Sequence, residues 1–181
     1  MQDQKLRPEH VKLMVVGESG LGKTTSIRCI LHRYGESELD GMQDMTEKSK
    51  TLEIREYPPV TIQTDDPCRP IILSIIDTPG YGEHTDMRLD FTKITDHIKA
   101  QWETTYTEIQ QNLTWEGSGL PSRHLVSACL YFIAPHRLKT IDIDFMREVS
   151  RLIPIIPVIA KSDTMTRDET LEFRRLVAAQ L

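Results

Sequence analysis

The segment GESGLGKT, at residues 17–24, contains glycines, a lysine and a threonine at a spacing that can hold a phosphate group. An apolar run, VKLMVV, precedes it, and a stretch with helical periodicity follows. This order matches the phosphate-binding loop (P-loop), in which glycines let backbone N–H groups point at phosphate oxygens and a helix N-terminus adds positive charge. We therefore expect Lys23 to contact the β- and γ-phosphates and Thr24 to bind Mg²⁺. A simple glycine turn is the alternative, which this context disfavours.

A second segment, DTPG at residues 77–80, follows the buried run IILSII. Ligands of open α/β sheets bind at the carboxyl ends of the strands, which is where this acid lies. We expect Asp77 to hold a water molecule on Mg²⁺ and the N–H of Gly80 to reach the γ-phosphate. By itself, the tetrapeptide could also be a turn without a function.

A third segment, AKSD at residues 160–163, follows the apolar run IIPVIA. Asp163 can accept hydrogen bonds from the N1–H and the amino group of guanine, a donor pair that adenine lacks, and the stem of Lys161 can lie over the base. A helix-capping aspartate is the alternative for this segment alone. Three such loops in this order predict a guanine nucleotide and disfavour an ATP-dependent motor or transporter. The predicted nucleotide contacts are Gly17, Glu18, Ser19, Gly20, Leu21, Gly22, Lys23, Thr24, Thr25, Asp77, Gly80, Lys161 and Asp163.

Short apolar runs alternate with helical patterns along the chain, which is typical of an α/β fold with a mostly parallel sheet. Strands are predicted at 11–16, 52–57, 59–64, 71–76, 124–134 and 155–160, and helices at 23–33, 91–113, 141–152 and from a capping box at 166–169 to the end. We expect the core-facing stripe of the second helix to comprise Phe91, Ile94, Ile98, Trp102, Tyr106, Ile109 and Leu113. In the third helix, Asp142 and Asp144 are expected in the first turn. The pattern predicts a doubly wound sheet of the P-loop NTPase class, as in Ras-like GTPases.

The composition is that of one soluble domain, residues 1–181, with a net charge of −5 and 39% hydrophobic residues. No basic stripe indicates nucleic acid, and three separated cysteines indicate neither disulfides nor a zinc site. No signal peptide or membrane-length apolar segment is visible, so we expect a cytoplasmic location. Because an apolar strand such as IIPVIA rarely forms a sheet edge, we also expect a further strand and helix after Leu181.

Several phrases of the chain resemble the septin family: GESGLGKTT, DTPGYG, CLYFIAP with LKTIDIDFM after it, and PVIAKSDTMTRDE. The resemblance extends from about residue 13 to residue 173. It implies a septin-type GTP-binding domain, with a first switch at about 35–57, a second switch at about 77–90 and the guanine-specificity loop at 160–163. It also implies assembly through the nucleotide face into dimers and filaments, with itself or with other septins, often along membranes, and a cytoskeletal location.

The resemblance further implies slow GTP hydrolysis that requires Mg²⁺. Ras-like enzymes place a water-orienting glutamine just after the DxxG motif, where this chain has Tyr81 and Gly82. Septins that hydrolyse GTP use a threonine of the first switch instead, and KTLEI makes Thr51 the candidate for contacting Mg²⁺ or the γ-phosphate, with Thr46 as its rival. The expected working parts are therefore Lys23, Thr24, Thr51, Asp77 and Gly80.

The chain departs from the septin pattern in three places. Between AP and LK, the usual Thr-Gly-His-Gly is replaced by His136-Arg137 alone, which leaves the interface role of the family's loop histidine open for His136. Arg137 could stabilise γ-phosphate charge in trans; a solvated loop arginine is the commoner case. The carboxyl-terminal septin elements, including the last guanine-contacting loop, are not in this sequence, and no polybasic segment precedes the first strand to support membrane binding.

Two functions remain open on the sequence. Either the domain hydrolyses GTP slowly and uses hydrolysis to control assembly, or it is an inactive scaffold in which the bound nucleotide only stabilises an interface.

Overall fold

The computed structural model describes residues 8–34, 53–81, 87–111 and 123–181. Its strands are β1 (Glu9–Gly17), β2 (Arg55–Glu56), β3 (Val60–Ile62), β4 (Ile71–Asp77), β5 (Ala128–Ile133) and β6 (Ile155–Ile159). Its α-helices are α1 (Lys23–Tyr34), α2 (Met87–Gln111), α3 (Thr140–Val149) and α4 (Arg167–Gln180), with a 3₁₀ turn at Ser162–Thr164. All of these elements fall where the periodicity predicts them, with ends that differ by a few residues.

The strands form one sheet in the order β2-β4-β1-β5-β6, in which β3 also pairs with β4. The pairs β4–β1, β1–β5 and β5–β6 are parallel, whereas β2 and β3 run antiparallel to β4. The predicted mostly parallel α/β fold is therefore confirmed. Because parallel neighbours point the same way, the loops after β1, β4, β5 and β6 all emerge at one edge of the sheet.

Helices cover both faces of the sheet, each over its own apolar cluster. On one face, α1 packs Ile27 and Leu31 against residues of β1, β3 and β4. On the other face, α2, α3 and α4 contribute residues such as Ile98, Phe145 and Phe173 to the larger cluster. This doubly wound arrangement explains why β4, β5 and the second half of β1 are almost entirely apolar, since both of their faces are covered.

The predicted core stripe of α2 is wrong at Trp102 and Tyr106, and its last member, Leu113, lies outside the described residues. Ile98 is buried, but Trp102 and Tyr106 are 39% and 61% exposed, and Thr105 is buried instead. At about 100° per residue, Thr105 lies only about 20° around the helix from Ile98, whereas Tyr106 lies about 80° away. The predicted stripe, spaced by three or four residues, therefore leaves the buried face of the helix after Ile98.

The α3 and α4 helices begin at identifiable caps. At α4, the hydroxyl of Thr166 accepts a hydrogen bond from the N–H of Glu169, whose carboxylate accepts one from the N–H of Thr166, as the predicted capping box requires. The α3 helix begins at Thr140, so Asp142 lies in its first turn but Asp144, contrary to expectation, does not. The predicted end of α3 at residue 152 is also too late, because the chain turns after Val149 and reaches Pro154, which disfavours helix before it.

The β6 strand is the last in the strand order, and none of its residues is fully buried. Ile156 is 49% exposed. Pro157, which lacks an N–H, is tolerated in a strand that pairs on one side only. A further strand and helix after Leu181 remains a prediction.

Candidate functional site

The P-loop connects the end of β1 to the start of α1 and encloses open space. Gly20 and Gly22 have φ angles of +77° and +88°, in the left-handed region that favours glycine. A Cβ built on either residue meets no atom within 4 Å. Gly17 differs, because its Cβ would lie 2.7 Å from the carbonyl oxygen of Phe132 on β5. The glycines thus serve two needs: close packing on the sheet and a loop whose backbone can approach a ligand.

Lys23, the first residue of α1, folds its side chain back over the loop. Its ammonium group donates to the carbonyl oxygens of Gly17, at 2.9 Å, and Glu18, at 3.1 Å. The residue is only 7% exposed. A cation held in this way fixes the curvature of the loop and places positive charge where phosphate is expected.

Thr24 and Asp77 meet across the sheet edge. The parallel register pairs Val15 with Asp77, which brings the end of β4 next to the P-loop. The hydroxyl of Thr24 donates to Oδ2 of Asp77 at 2.6 Å. A hydroxyl and a buried carboxylate are hard oxygen donors, the type that Mg²⁺ prefers when it keeps several waters and a phosphate as further ligands. Two of the three predicted magnesium residues, Thr24 and Asp77, therefore lie together and fit that ion.

The segment after Asp77 is packed directly on the P-loop. A Cβ on Gly80 would lie 2.6 Å from Cα of Ser19, so only glycine allows this approach. The N–H of Ser19 donates to the carbonyl oxygen of Tyr81 at 3.1 Å. The buried hydroxyl of Thr78, which the sequence reasoning did not single out, donates to the carbonyl oxygen of Val15 at 2.8 Å. The structure thus brings the first two predicted motifs together.

The AKSD segment lies at the same edge, after β6. Ala160 is buried, and its N–H donates to Ile133 of β5 at 2.9 Å. Lys161 adopts a left-handed conformation, with φ of 48° and ψ of 41°, and starts the 3₁₀ turn. Lys161 and Asp163 are both exposed, so their side chains are accessible to a base. Leu21 of the P-loop packs against the apolar cluster that contains Ala160, which links this turn to the phosphate loop.

Glu18 lies between two cations that follow β5, a contact that the sequence reasoning missed. Its carboxylate accepts from the guanidinium of Arg137 at 2.8 Å and from the ammonium of Lys139 at 2.8 Å. In the sequence, this contact was signalled by the expectation that the loops after β1 and β5 share one edge of a parallel sheet. Arg137 is therefore paired within its own chain, and a trans role would require it to leave Glu18. His136, in the same loop, has a left-handed φ of 58°.

A buried group of three side chains, hereafter the tyrosine–aspartate group, connects the end of this segment to α3. Oδ1 of Asp142 accepts hydrogen bonds from the hydroxyls of Tyr81, at 2.5 Å, and Tyr131, at 2.8 Å, and the two hydroxyls also contact each other. Oδ2 accepts from the N–H of Lys139 at 2.8 Å. Burial, above all, raises the pKa of both phenols, so both keep their protons and act as donors. Asp142 was predicted only to lie in a helix's first turn.

Part of the predicted site lies outside the described residues. This applies to Thr51 and its rival Thr46, to Gly82, and to most of the predicted first switch. Their roles remain predictions.

The comparisons with known proteins agree with this geometry. The septin family model matches residues 8–181. The chain belongs to the septin family. It is 35% identical over 171 residues to neuronal-specific septin-3 of Danio rerio and 33% identical over 177 residues to septin-2 of Mus musculus; each match covers 93% of this chain, but only 46% and 45% of those proteins. The septin chain therefore spans less than half the length of these relatives.

Solved septin structures have the same fold. The septin GTPase domain of Chlamydomonas reinhardtii matches with a TM-score of 0.71 and 27% identity, over 97% of this chain and 61% of that one. Cdc11 of Saccharomyces cerevisiae matches with a TM-score of 0.62 and 33% identity, over 94% and 60% of the two chains. The fold of this septin is thus that of a septin GTPase domain. Among the residues that the structure describes, no helix is long and apolar enough to cross a membrane.

Proposed function

We propose that this septin chain binds GTP with Mg²⁺ and hydrolyses it slowly, and that the nucleotide state controls assembly into dimers and filaments. The observation that carries this proposal is the packing of the DTPG segment on the P-loop, with the hydroxyl of Thr24 held 2.6 Å from the carboxylate of Asp77. The partners would be further copies of the chain or other septins, in contact through the nucleotide face, and the location would be the cytoskeleton. Membrane association, which the septin resemblance implies, is a further proposal.

The charged groups and hydrogen-bond donors of the P-loop support nucleotide binding. The P-loop backbone, Gly17 to Thr25, would surround the phosphates, and the ammonium of Lys23 would neutralise part of their charge. Asp163 would select guanine by accepting hydrogen bonds from the N1–H and the amino group of the base, and the stem of Lys161 would lie over the base. Thr24 would hold Mg²⁺ directly and Asp77 would hold it through a water molecule, and the ion would supply neutralisation of charge on the β- and γ-phosphate oxygens.

Hydrolysis requires a water molecule to be oriented toward the γ-phosphate. The side chain after Gly80 does not supply this function, because the hydroxyl of Tyr81 is buried against Asp142. This supports a slow reaction in which Thr51 orients the water and the N–H of Gly80 stabilises the γ-phosphate. Arg137 would act in trans only if partner binding released it from Glu18. If Thr51 does not serve this role, the alternative is the scaffold, in which GTP is bound but not cleaved.

The test is to purify the full chain, denature it and identify the released nucleotide by ion-pair chromatography. GTP turnover is then measured with Mg²⁺, with ATP as a competitor. We expect GDP to be released, ATP to compete at least about a hundredfold more weakly than GTP, and the variant Thr51→Ala to keep the GDP affinity of the parent while turnover at saturating GTP falls at least about tenfold.

The outcomes separate the two functions. Retained GTP with no turnover would favour the scaffold, and equal affinity for ATP and GTP would contradict the guanine assignment. Unchanged turnover in Thr51→Ala would remove Thr51 from the mechanism. Thr61→Ala, at an exposed threonine of β3, is the matched control and should behave as the parent does.

A further inference from the structure

The tyrosine–aspartate group lies behind the phosphate-facing loops, and binding as proposed above does not use it. Its three members lie in different parts of the fold: Tyr81 in the segment after β4, Tyr131 within β5, and Asp142 in the first turn of α3. The three residues are at most 5% exposed. Buried polar groups are costly unless they are fully hydrogen bonded, and here both carboxylate oxygens accept bonds.

Tyr81 connects the tyrosine–aspartate group directly to the P-loop. It is the residue after Gly80, and its own carbonyl oxygen accepts from the N–H of Ser19 in the P-loop. A parallel bridge also pairs it with Glu18. Its ring packs edge-on against Phe91 of α2, with centroids 5.5 Å apart. The backbone at Gly80 is therefore held from one side by the P-loop and from the other by the buried Tyr81 side chain.

Asp142 connects the tyrosine–aspartate group to the P-loop by a second route. Its Oδ2 accepts from the N–H of Lys139, and the ammonium of Lys139 contacts the carboxylate of Glu18. Glu18 belongs to the P-loop, so the path from Asp142 returns to the loop that Tyr81 also contacts. One buried carboxylate thus sets the positions of both loops that are expected to face the terminal phosphate.

We infer that Asp142 and Tyr81 are positioning residues for the γ-phosphate: they hold the N–H of Gly80 in place and thereby favour GTP over GDP. This inference rests on the proposed function and adds the means by which the site distinguishes the two nucleotides. GDP lacks the γ-phosphate, so its affinity does not depend on the position of Gly80.

Tyr131 provides a matched control within the same group. Tyr81→Phe and Tyr131→Phe each remove one hydroxyl from the same oxygen of Asp142 and leave the ring in place. Tyr131, however, lies in a strand that pairs with β1 on one side and β6 on the other, so its backbone stays fixed without the hydroxyl. Tyr81 lies in a loop segment, outside the strand ladders, where the side chain contributes to the position of the backbone.

The experiment measures the Kd of the full chain for a slowly hydrolysed GTP analogue and for GDP, in the parent, Tyr81→Phe, Tyr131→Phe and Asp142→Asn. Unfolding midpoints are recorded for all four. We expect the ratio of the two Kd values to shift about fivefold against the GTP analogue in Tyr81→Phe and in Asp142→Asn, because each loses a hydrogen bond to a charged acceptor. Tyr131→Phe should keep the ratio of the parent, with an unfolding midpoint lowered as much as that of Tyr81→Phe.

Equal shifts in the two tyrosine variants, or no shift in Tyr81→Phe, would overturn the inference. Asp142→Asn keeps the test decisive if Tyr81→Phe does not fold, since an unchanged ratio in that variant has the same consequence. A parent chain that binds neither nucleotide would instead contradict the proposed function, so the two failures are distinguishable.

Discussion

Thr24 and Asp77 are separated by 53 residues, and one short hydrogen bond joins them. Neither side chain could hold a divalent cation alone, since a lone hydroxyl is a weak ligand. Together they would offer Mg²⁺ a neutral oxygen, as a direct ligand, and a charged oxygen that acts through a water molecule, beside phosphate oxygens. At this scale the site depends on single atoms, so a change that removes one oxygen without changing shape is the sharpest probe.

Thr24→Val removes the hydroxyl and keeps a branched side chain of similar size. We expect the affinity for GTP in the presence of Mg²⁺ to fall about tenfold, and the affinity measured with excess chelator to change little, because the lost contact is one to the metal. Isothermal titration in the two buffers checks this. Thr104→Val, at an exposed threonine of α2 whose hydroxyl donates to the carbonyl oxygen of Ala100, is the control and should match the parent. Equal losses with and without Mg²⁺ would contradict the metal role of Thr24.

At the scale of elements, the site depends on where helices and strands start and stop. The β4 strand ends at Asp77 and α1 begins at Lys23, so these two predicted contacts lie at the ends of elements. The α4 helix begins directly after the AKSD segment, at the capping box of Thr166 and Glu169. A stable start of α4 therefore limits how far the guanine-binding turn can move.

Thr166→Ala deletes the N-cap of α4. We expect it to lower the free energy of unfolding by about 1 kcal/mol, which corresponds to a decrease of about 2–4 °C in Tm for a domain of this size. Calorimetry or circular dichroism measures the shift. The comparison variant is Thr107→Ala, which removes a hydroxyl bonded to Glu103 within α2 and should not lower Tm. If both variants have the same Tm, the capping box does not stabilise the helix.

At the scale of the whole molecule, β6 leaves one side of the sheet without a neighbouring strand among the described residues. Ile156 is half exposed there, and Pro157, Ile159 and Leu171 line an open groove between β6 and α4. An apolar sheet edge is a template for pairing with another chain. Self-association of this chain through β6 would use a different surface from the proposed assembly through the nucleotide face.

Ile156→Lys tests pairing through β6. We expect the charged side chain to reduce self-association in the absence of nucleotide by about tenfold in the dissociation constant, because a lysine on an edge strand opposes pairing. Sedimentation velocity measures this. Tyr106→Lys, at an exposed aromatic residue of α2, introduces the same charge elsewhere and should have little effect. Similar effects of both variants would indicate that net charge, rather than the β6 edge, controls association.

The three nucleotide motifs and the order of the elements could be predicted from the sequence because each depends on neighbours along the chain. A glycine-containing loop, a capping box and a short apolar run are local features, and the structure has them where the sequence predicts. Parallel pairing could also be anticipated, since it requires only alternating strands and helices.

Contacts between distant residues were decided by the tertiary structure alone. The hydroxyls of Tyr81 and Tyr131 meet Asp142 across separations of 61 and 11 residues, and Glu18 meets Lys139 across 121. Sequence spacing carries no distance at such separations, because the register of the sheet determines which side chains meet. The exposure of Tyr106 is a similar case, since the face of a helix that is buried depends on the neighbour it packs against. The local motifs could therefore be predicted from the sequence, whereas the tyrosine–aspartate group could be recognised only in the folded chain.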